Sequence, residues 1–199
     1  MTLTDAELTS AAQAGGRREL DDLLRRHYDR IFAVCRRITG NDSDAADAAQ
    51  EALMSIVRSL HRFDGRSSFS TWAYRIATNA SLDELRRRRR RPVLAPGDGD
   101  RAQHELVDPA AGVQIDSIAD RMEIDEALAE LPIDFRVPIV LRDIAGLDYA
   151  EIADTLDIPQ GTVKSRIARG RAQLARSLEG ATDSDGNQSP HHDRPRPAP

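Results

Sequence analysis

Apolar positions recur at three- and four-residue spacing over most of the chain, and alternating β-branched runs are rare, so the pattern predicts an all-α protein. A short helix is expected over about 5–14, opened by the Thr4-x-x-Glu7 capping pattern and stopped by Gly15-Gly16. A longer one follows over about 17–39, with Leu20, Leu23, Leu24, Ile31, Val34, Cys35 and Ile38 as its apolar positions and Gly40 as its stop. Asn41 to Asp44 offers several caps for a third helix over about 44–62. Beyond the loop Asp64-Gly65-Arg66-Ser67-Ser68, a fourth runs from about Phe69 into six consecutive arginines, 86–91, and Pro92 ends it.

Residues 92–120 break the pattern. Pro92, Pro96 and Pro109 punctuate a stretch whose acids (Asp98, Asp100, Glu105, Asp108, Asp116, Asp120) face only Arg101, which predicts a flexible acidic linker. A second helical set begins near Asp120 and continues through Leu131-Pro132 to Ala145; Pro138 is expected to bend it and Gly146 to stop it. Asp148 and Glu151 then form a capping box flanked by the staple pair Leu147 and Ile152, so a short helix is expected over 149–156. Ile158-Pro159-Gln160-Gly161 breaks it, and a last helix over about 162–178 carries Val163, Ile167, Gly170, Leu174 and Leu178 on one stripe. After Gly180 the composition predicts a disordered tail. The resulting layout is an N-terminal extension (1–16), a first helical module (17–91), the linker (92–120), a helix-turn-helix module (121–179) and the tail (180–199).

Charge sharpens the last module. Residues 121–157 carry three arginines against ten acids, whereas 158–176 carry Lys164, Arg166, Arg169, Arg171 and Arg176 with no acid. A helix basic on its exposed side, entered through a helix-turn-helix, suits the DNA major groove better than it suits an ordinary solvated face. The whole chain has net charge −5, so it is not a general polycation.

Two surfaces of the first module stand out. Asp47, Gln50, Glu51 and Met54 share one helix face; by residue type alone this reads first as a solvated face and second as a protein-docking stripe. From Arg66 to Arg91 there are eight arginines and two acids, interleaved with Phe69, Trp72 and Tyr74. Rings that hold unstacked bases and guanidinium groups that follow phosphates make this a candidate single-strand surface, with Asn79 able to read a base edge. The rings are expected to divide between this role and the core, with Trp72 mainly core. The run Arg86–Arg91 is expected to track phosphates ahead of serving as a nonspecific tail or a localisation signal.

Aromatics at 4% and charged residues at 31% suit small helical modules rather than one large core. Cys35 is the sole cysteine, so a buried structural thiol is expected and no intrachain disulfide. No stretch approaches the ~20 apolar residues of a membrane span, no secretory leader opens the chain, and a cytoplasmic, soluble protein is expected. Neither Asp47 nor Glu51 has an acid–base partner at readable spacing. No phosphate-binding glycine loop or metal-ligand cluster is evident, and His191-His192 stands alone, so neither catalysis nor a cofactor is expected.

Five motifs in order give the chain a family resemblance: Asp44 to Glu51, Phe69 to Asn79, Leu131-Pro132 with Arg136, Gly146 to Ala153, and Gly161 to Arg166. Together they resemble the extracytoplasmic-function (ECF) sigma factors of bacterial RNA polymerase, in the sigma-70 family. The resemblance implies a sigma-2-like helical bundle and a sigma-4-like helix-turn-helix joined by a flexible linker. It implies a promoter-directing subunit rather than an enzyme, docked on the polymerase β′ clamp helices through Asp47, Gln50, Glu51 and Met54 and on the β flap. Minus-ten strand contacts fall on Arg66, Phe69, Ser70, Trp72, Tyr74, Arg75, Asn79, Arg86 and Arg87. Minus-thirty-five contacts fall on Thr162, Lys164, Ser165, Arg166, Arg169 and Arg171. An anti-sigma protein is the further expected partner, with no membrane insertion by this chain. Ala46, Ala73 and Pro159 depart from the family's common residues. A dimeric helix-turn-helix regulator acting on duplex DNA alone is the competing reading, and a metal-dependent nuclease using Asp47 and Glu51 a more distant one.

Overall fold

The structure, a computed structural model, describes residues 3–90 and 115–185, with side chains for 3–90 and 122–179. Among the described residues there are helices and turns and no strand. The first module comprises α1 (Asp5–Gln13), α2 (Arg17–Thr39), α3 (Asp42–Ser59), a 3-10 turn (Leu60–Arg62) and α4 (Phe69–Arg90). The second comprises α5 (Ile115–Glu130), α6 (Ile133–Ile139), a π turn (Val140–Ile144), α7 (Tyr149–Leu156) and α8 (Gln160–Asp185).

Caps set these boundaries. Thr4 and Glu7 close a capping box on α1, Asn41 accepts from the Asp44 amide at the head of α3, and the Ser68 hydroxyl accepts from the Thr71 amide at the head of α4. Gly40 ends α2 at φ +84°, a conformation other residues adopt only at a cost. Asp148 and Glu151 form the capping box of α7, and Asp157 closes that helix in the left-handed region at φ 52°.

Three boundaries differ from the sequence pattern. Helix α5 starts at Ile115, so the last residues of the expected linker are helical, while residues 92–114 of it lie outside the described residues. Gly180 does not stop α8, which continues to Asp185; tail residues 186–199 also lie outside. Helix α8 begins at Gln160, because the Pro159 carbonyl accepts from the amides of Thr162 and Val163 and so starts the helix without a side-chain cap. Pro138 lies inside α6 without ending it. Its missing N–H interrupts the ladder, and the π turn that follows directly carries an Ala145 amide to Val140 carbonyl bond of 3.1 Å.

The first core lies where α2, α3 and α4 meet. Leu23, Ile31, Val34, Cys35 and Ile38 are fully buried on α2, each stabilising the fold by roughly 1.5–3 kcal/mol for the larger side chains. Ala45, Ala48, Ala49 and Ala52 line the inner face of α3 and let it lie close against α4. In the second module Leu128, Leu131, Val137, Ile139, Leu147, Ile152, Val163 and Ile167 are buried. Gly170 sets the approach of α8 to α6, because a Cβ there would lie 2.6 Å from Ile139 Cδ1 and 3.0 Å from Phe135 Cβ.

The two modules pack on each other. Helix α2 contacts α5, α6 and the π turn, and one continuous cluster of buried apolar residues includes members of both modules. The half-buried Arg136 guanidinium donates to the Ile38 carbonyl at 2.9 Å across the junction and to the Leu131 and Ala129 carbonyls on its own side. Burial lowers its pKa from the ordinary arginine value. Arg37 and Asp125 form an ion pair at 3.0 Å, and the Thr71 hydroxyl donates to Glu151 at 2.9 Å. These cross-links were not legible in the periodicity, which assigns each helix a face but no partner.

Candidate nucleic-acid interface

The outward face of α8 is built from the core outward. With Val163, Ile167 and Gly170 buried, helical geometry turns Lys164, Ser165 and Arg169 to solvent, and all three are exposed. The Arg169 side chain makes no ion pair or hydrogen bond among the described residues. Thr162 and Arg166 are half-buried, and Arg166 lies 3.6 Å from Asp134. Arg171 is bound through two nitrogens to Asp143, whose hydrogen bond raises the Arg171 pKa. Of the six residues expected to read DNA, three therefore point outward uncommitted to any acid and two are paired to acids of their own module.

Tyr149 escaped the sequence reading. At the first position of α7, its ring lies 5.0 Å from the Arg142 guanidinium and 5.6 Å from Lys164 Nζ, so one aromatic ring gathers two cations at the mouth of the helix-turn-helix. Arg142 also donates to the Leu147 carbonyl at 2.8 Å. A tyrosine flanked by acids gives little warning of this, because both cations are distant in sequence.

In the first module the outward face of α4 carries Arg75, Asn79, Asp83, Arg86 and Arg90, all exposed. Arg66 is exposed in the loop ahead of α4, 3.1 Å from Asp64, and Ser70 is half-buried beside Ser68. The aromatic assignments are reordered. Tyr74 and Phe69 are buried, at 2% and 4% exposure, and only Trp72 is half-exposed. Phe69 sits among His27, Phe63 and Trp72 at ring distances of 5.0, 6.2 and 5.9 Å. The expectation that Phe69 and Tyr74 offer flat faces to bases does not describe this conformation, in which both rings are core. Arg86 pairs with Asp83, Arg87 with the buried Glu84, and Arg88 with Asp44, so the start of the arginine run is partly neutralised by its own module.

On α3, Asp47, Gln50 and Met54 are exposed and Glu51 is half-buried, 2.7 Å from Arg58. The stripe extends to Val57, at 45% exposure, which three-residue spacing from Met54 would have identified. Cys35 is fully buried and burial pushes its thiol up to about 11, the inert behaviour of a structural cysteine. Among the described residues no three His, Cys, Asp or Glu side chains converge as metal ligands would, and no helix is long and apolar enough to cross a membrane.

Comparison with known proteins agrees with this architecture. Residues 23–91 match the model of Sigma-70 region 2, and residues 121–174 match Sigma-70, region 4. The ECF RNA polymerase sigma factor SigM of Mycobacterium tuberculosis is 37% identical over 175 residues, spanning 88% of this chain and 85% of that protein. SigE of Mycolicibacterium smegmatis is 42% identical over 155 residues, 77% of this chain but 59% of the relative's length. In fold, the chain resembles CnrH, solved in complex with the cytosolic domain of CnrY (TM-score 0.65, 23% identity, 88% of this chain and 97% of that one). It also resembles RpoE of Bartonella quintana, solved with the anti-sigma factor NepR (TM-score 0.62, 22% identity, 80% and 96%). The chain belongs to the ECF sigma factors of the sigma-70 family.

Proposed function

We propose that this chain binds core RNA polymerase, directs it to a particular set of promoters and aids initiation by holding the opened minus-ten strand, with no nucleotide hydrolysis of its own. The observation that carries the reading is the outward set Lys164, Ser165 and Arg169 on a helix-turn-helix whose companion module presents Arg75 and Asn79 on a basic helix. One set suits paired bases in a major groove; the other suits a strand already separated. Each surface is small. Polymerase, bound through the α3 stripe at the β′ clamp and through the second module at the β flap, would raise the effective concentration of one for DNA already held by the other. Because RpoE was solved with the anti-sigma factor NepR, an anti-sigma protein is the further partner we assign.

Transcription by core polymerase reconstituted with this chain on a random promoter library tests the reading. The selected templates should share two conserved elements at fixed separation. Asn79→Ala should lower activity on duplex templates and recover on a premelted bubble; no recovery would remove strand capture from α4. Tight duplex binding by the chain alone, without co-purification of polymerase, would favour the dimeric regulator.

A further inference from the structure

We propose that Gln13, the last residue of α1, is a positioning residue for the minus-ten surface: it fixes one foot of the loop 64–68 and thereby sharpens the choice among unpaired bases. The inference rests on the strand-capture reading, which assigns strand contacts to Arg66 in this loop and to Ser70 and Asn79 on α4. Gln13 lies ahead of the Sigma-70 region 2 match, which begins at residue 23. Its side-chain amide donates to the Leu60 carbonyl at 2.9 Å and to the Phe63 carbonyl at 2.8 Å, 47 and 50 residues away along the chain. Those carbonyls bracket the 3-10 turn Leu60–Arg62, whose own closing bond runs from the Phe63 amide to the Leu60 carbonyl at 3.0 Å. Both protons of one amide group therefore staple the two ends of a single turn. A helix end leaves carbonyls without helical donors, and here a side chain from another helix supplies them.

Helix α1 is itself moored, so the staple has a fixed origin. At its first turn the Asp5 carboxylate accepts from Arg26 at 2.7 Å and pairs with His27 at 2.8 Å, and Leu8 is buried one turn further on. From Phe63, whose ring lies 5.1 Å from that of Trp72, the chain enters the loop, where residues 64–68 are all exposed. The far foot is held separately: the Ser68 hydroxyl accepts from the Thr71 amide at 3.0 Å, and Phe69 is buried. Within the loop the Asp64 carboxylate accepts from the Arg66 amide at 3.1 Å, so the place of Arg66 follows from that of Phe63. A loop held at both feet loses less freedom when it seats a base, and it resists reshaping around a wrong one. Gln13 is exposed and brings no apolar side chain to the core, so its loss should shift the loop without unfolding the module.

The full-length chain with core polymerase tests this on premelted templates whose single-stranded minus-ten segment carries each of the four bases in turn at every position. Gln13→Glu keeps the side-chain length but sets an oxygen where both donated protons were; Gln13→Lys keeps donors there. In Gln13→Glu the preferred base should lose its advantage over the others by about tenfold at one position or more, the scale of a lost hydrogen-bonded anchor. Preference at the minus-thirty-five element should hold. Gln13→Lys should restore the advantage, which a folding defect would not permit. A ratio is read because the charge that either substitution adds acts on the phosphates of every template alike. Base preference unmoved in Gln13→Glu overturns the proposal, and so does an equal fall for all four bases, the mark of a merely structural clip. Asn79→Ala and Arg66→Ala run alongside. If either alters base preference and Gln13→Glu does not, only the Gln13 assignment falls; if none of the three does, strand capture at this surface falls with it.

Discussion

Gly170 has no Cβ for a packing reason. A methyl group at that position would meet Ile139 Cδ1 and Phe135 Cβ inside contact distance, so Gly170→Ala makes the Ile139 side chain turn aside and presses on α6 at Phe135. Overpacking costs about 1–3 kcal/mol, against about 1 kcal/mol gained from helix propensity, and the net effect should be a lower urea midpoint with the slope unchanged. A variant as stable as the parent would show that the two helices slide without cost. Asp5 offers a pH test. Burial raises its carboxyl pKa, but hydrogen bonds to Arg26 and His27 outweigh that and hold it below its ordinary value of 3.8. Since the native pKa is the lower one, this contribution is complete above the unfolded value and is lost as pH falls through the native one. Amides of α1 should thus lose hydrogen-exchange protection early on acidification below 3.8, and Asp5→Asn should remove that pH dependence while leaving α1 less protected throughout.

Among the elements, α7 and α8 were legible in the sequence and the buried face of α4 was not, and the difference is one of contrast. Helix α7 announces itself through a capping box and a staple, and α8 places branched apolar residues against a basic face. The inner stripe of α4 comprises Phe69, Ala73, Tyr74, Ala77, Thr78, Ala80, Ser81 and Glu84, a mixture of small and polar residues whose hydrophobic periodicity is shallow. With Trp72 adjacent, the helix could be rotated in the mind's eye to bury either ring, and Tyr74 turned out to be inside. On α8 the structure distinguishes residues that the sequence treats alike. Lys164→Ala and Arg169→Ala should each weaken promoter discrimination by about 1–3 kcal/mol while sparing polymerase binding. Arg171→Ala should do less, because its guanidinium is already engaged by Asp143. Equal losses from Arg169 and Arg171, measured by in vitro transcription on matched and mutated minus-thirty-five elements, would refute this ranking.

For the whole molecule, composition and the 92–120 break indicated two bodies, and nothing in the periodicity indicated that they pack on each other. Long-range docking depends on shape and on single polar contacts such as Arg136 to Ile38, which leave no periodic trace. That docking has a thermodynamic consequence. An apolar cluster continuous across both modules couples their stabilities, so the intact chain should unfold in one transition. Trp72, the only tryptophan, lies in the first module, whereas helical circular dichroism sums over both, so the two signals should give coincident urea curves. Arg136→Ala leaves the Ile38 and Leu131 carbonyls without their guanidinium donor, at a cost of about 1–3 kcal/mol for each carbonyl left unsatisfied. Because it strikes the junction and the second module together, the dichroism curve should move to lower urea and separate from the tryptophan curve, which then reports a first module standing alone. Two transitions in the parent protein would mean that the modules are energetically independent despite their contact.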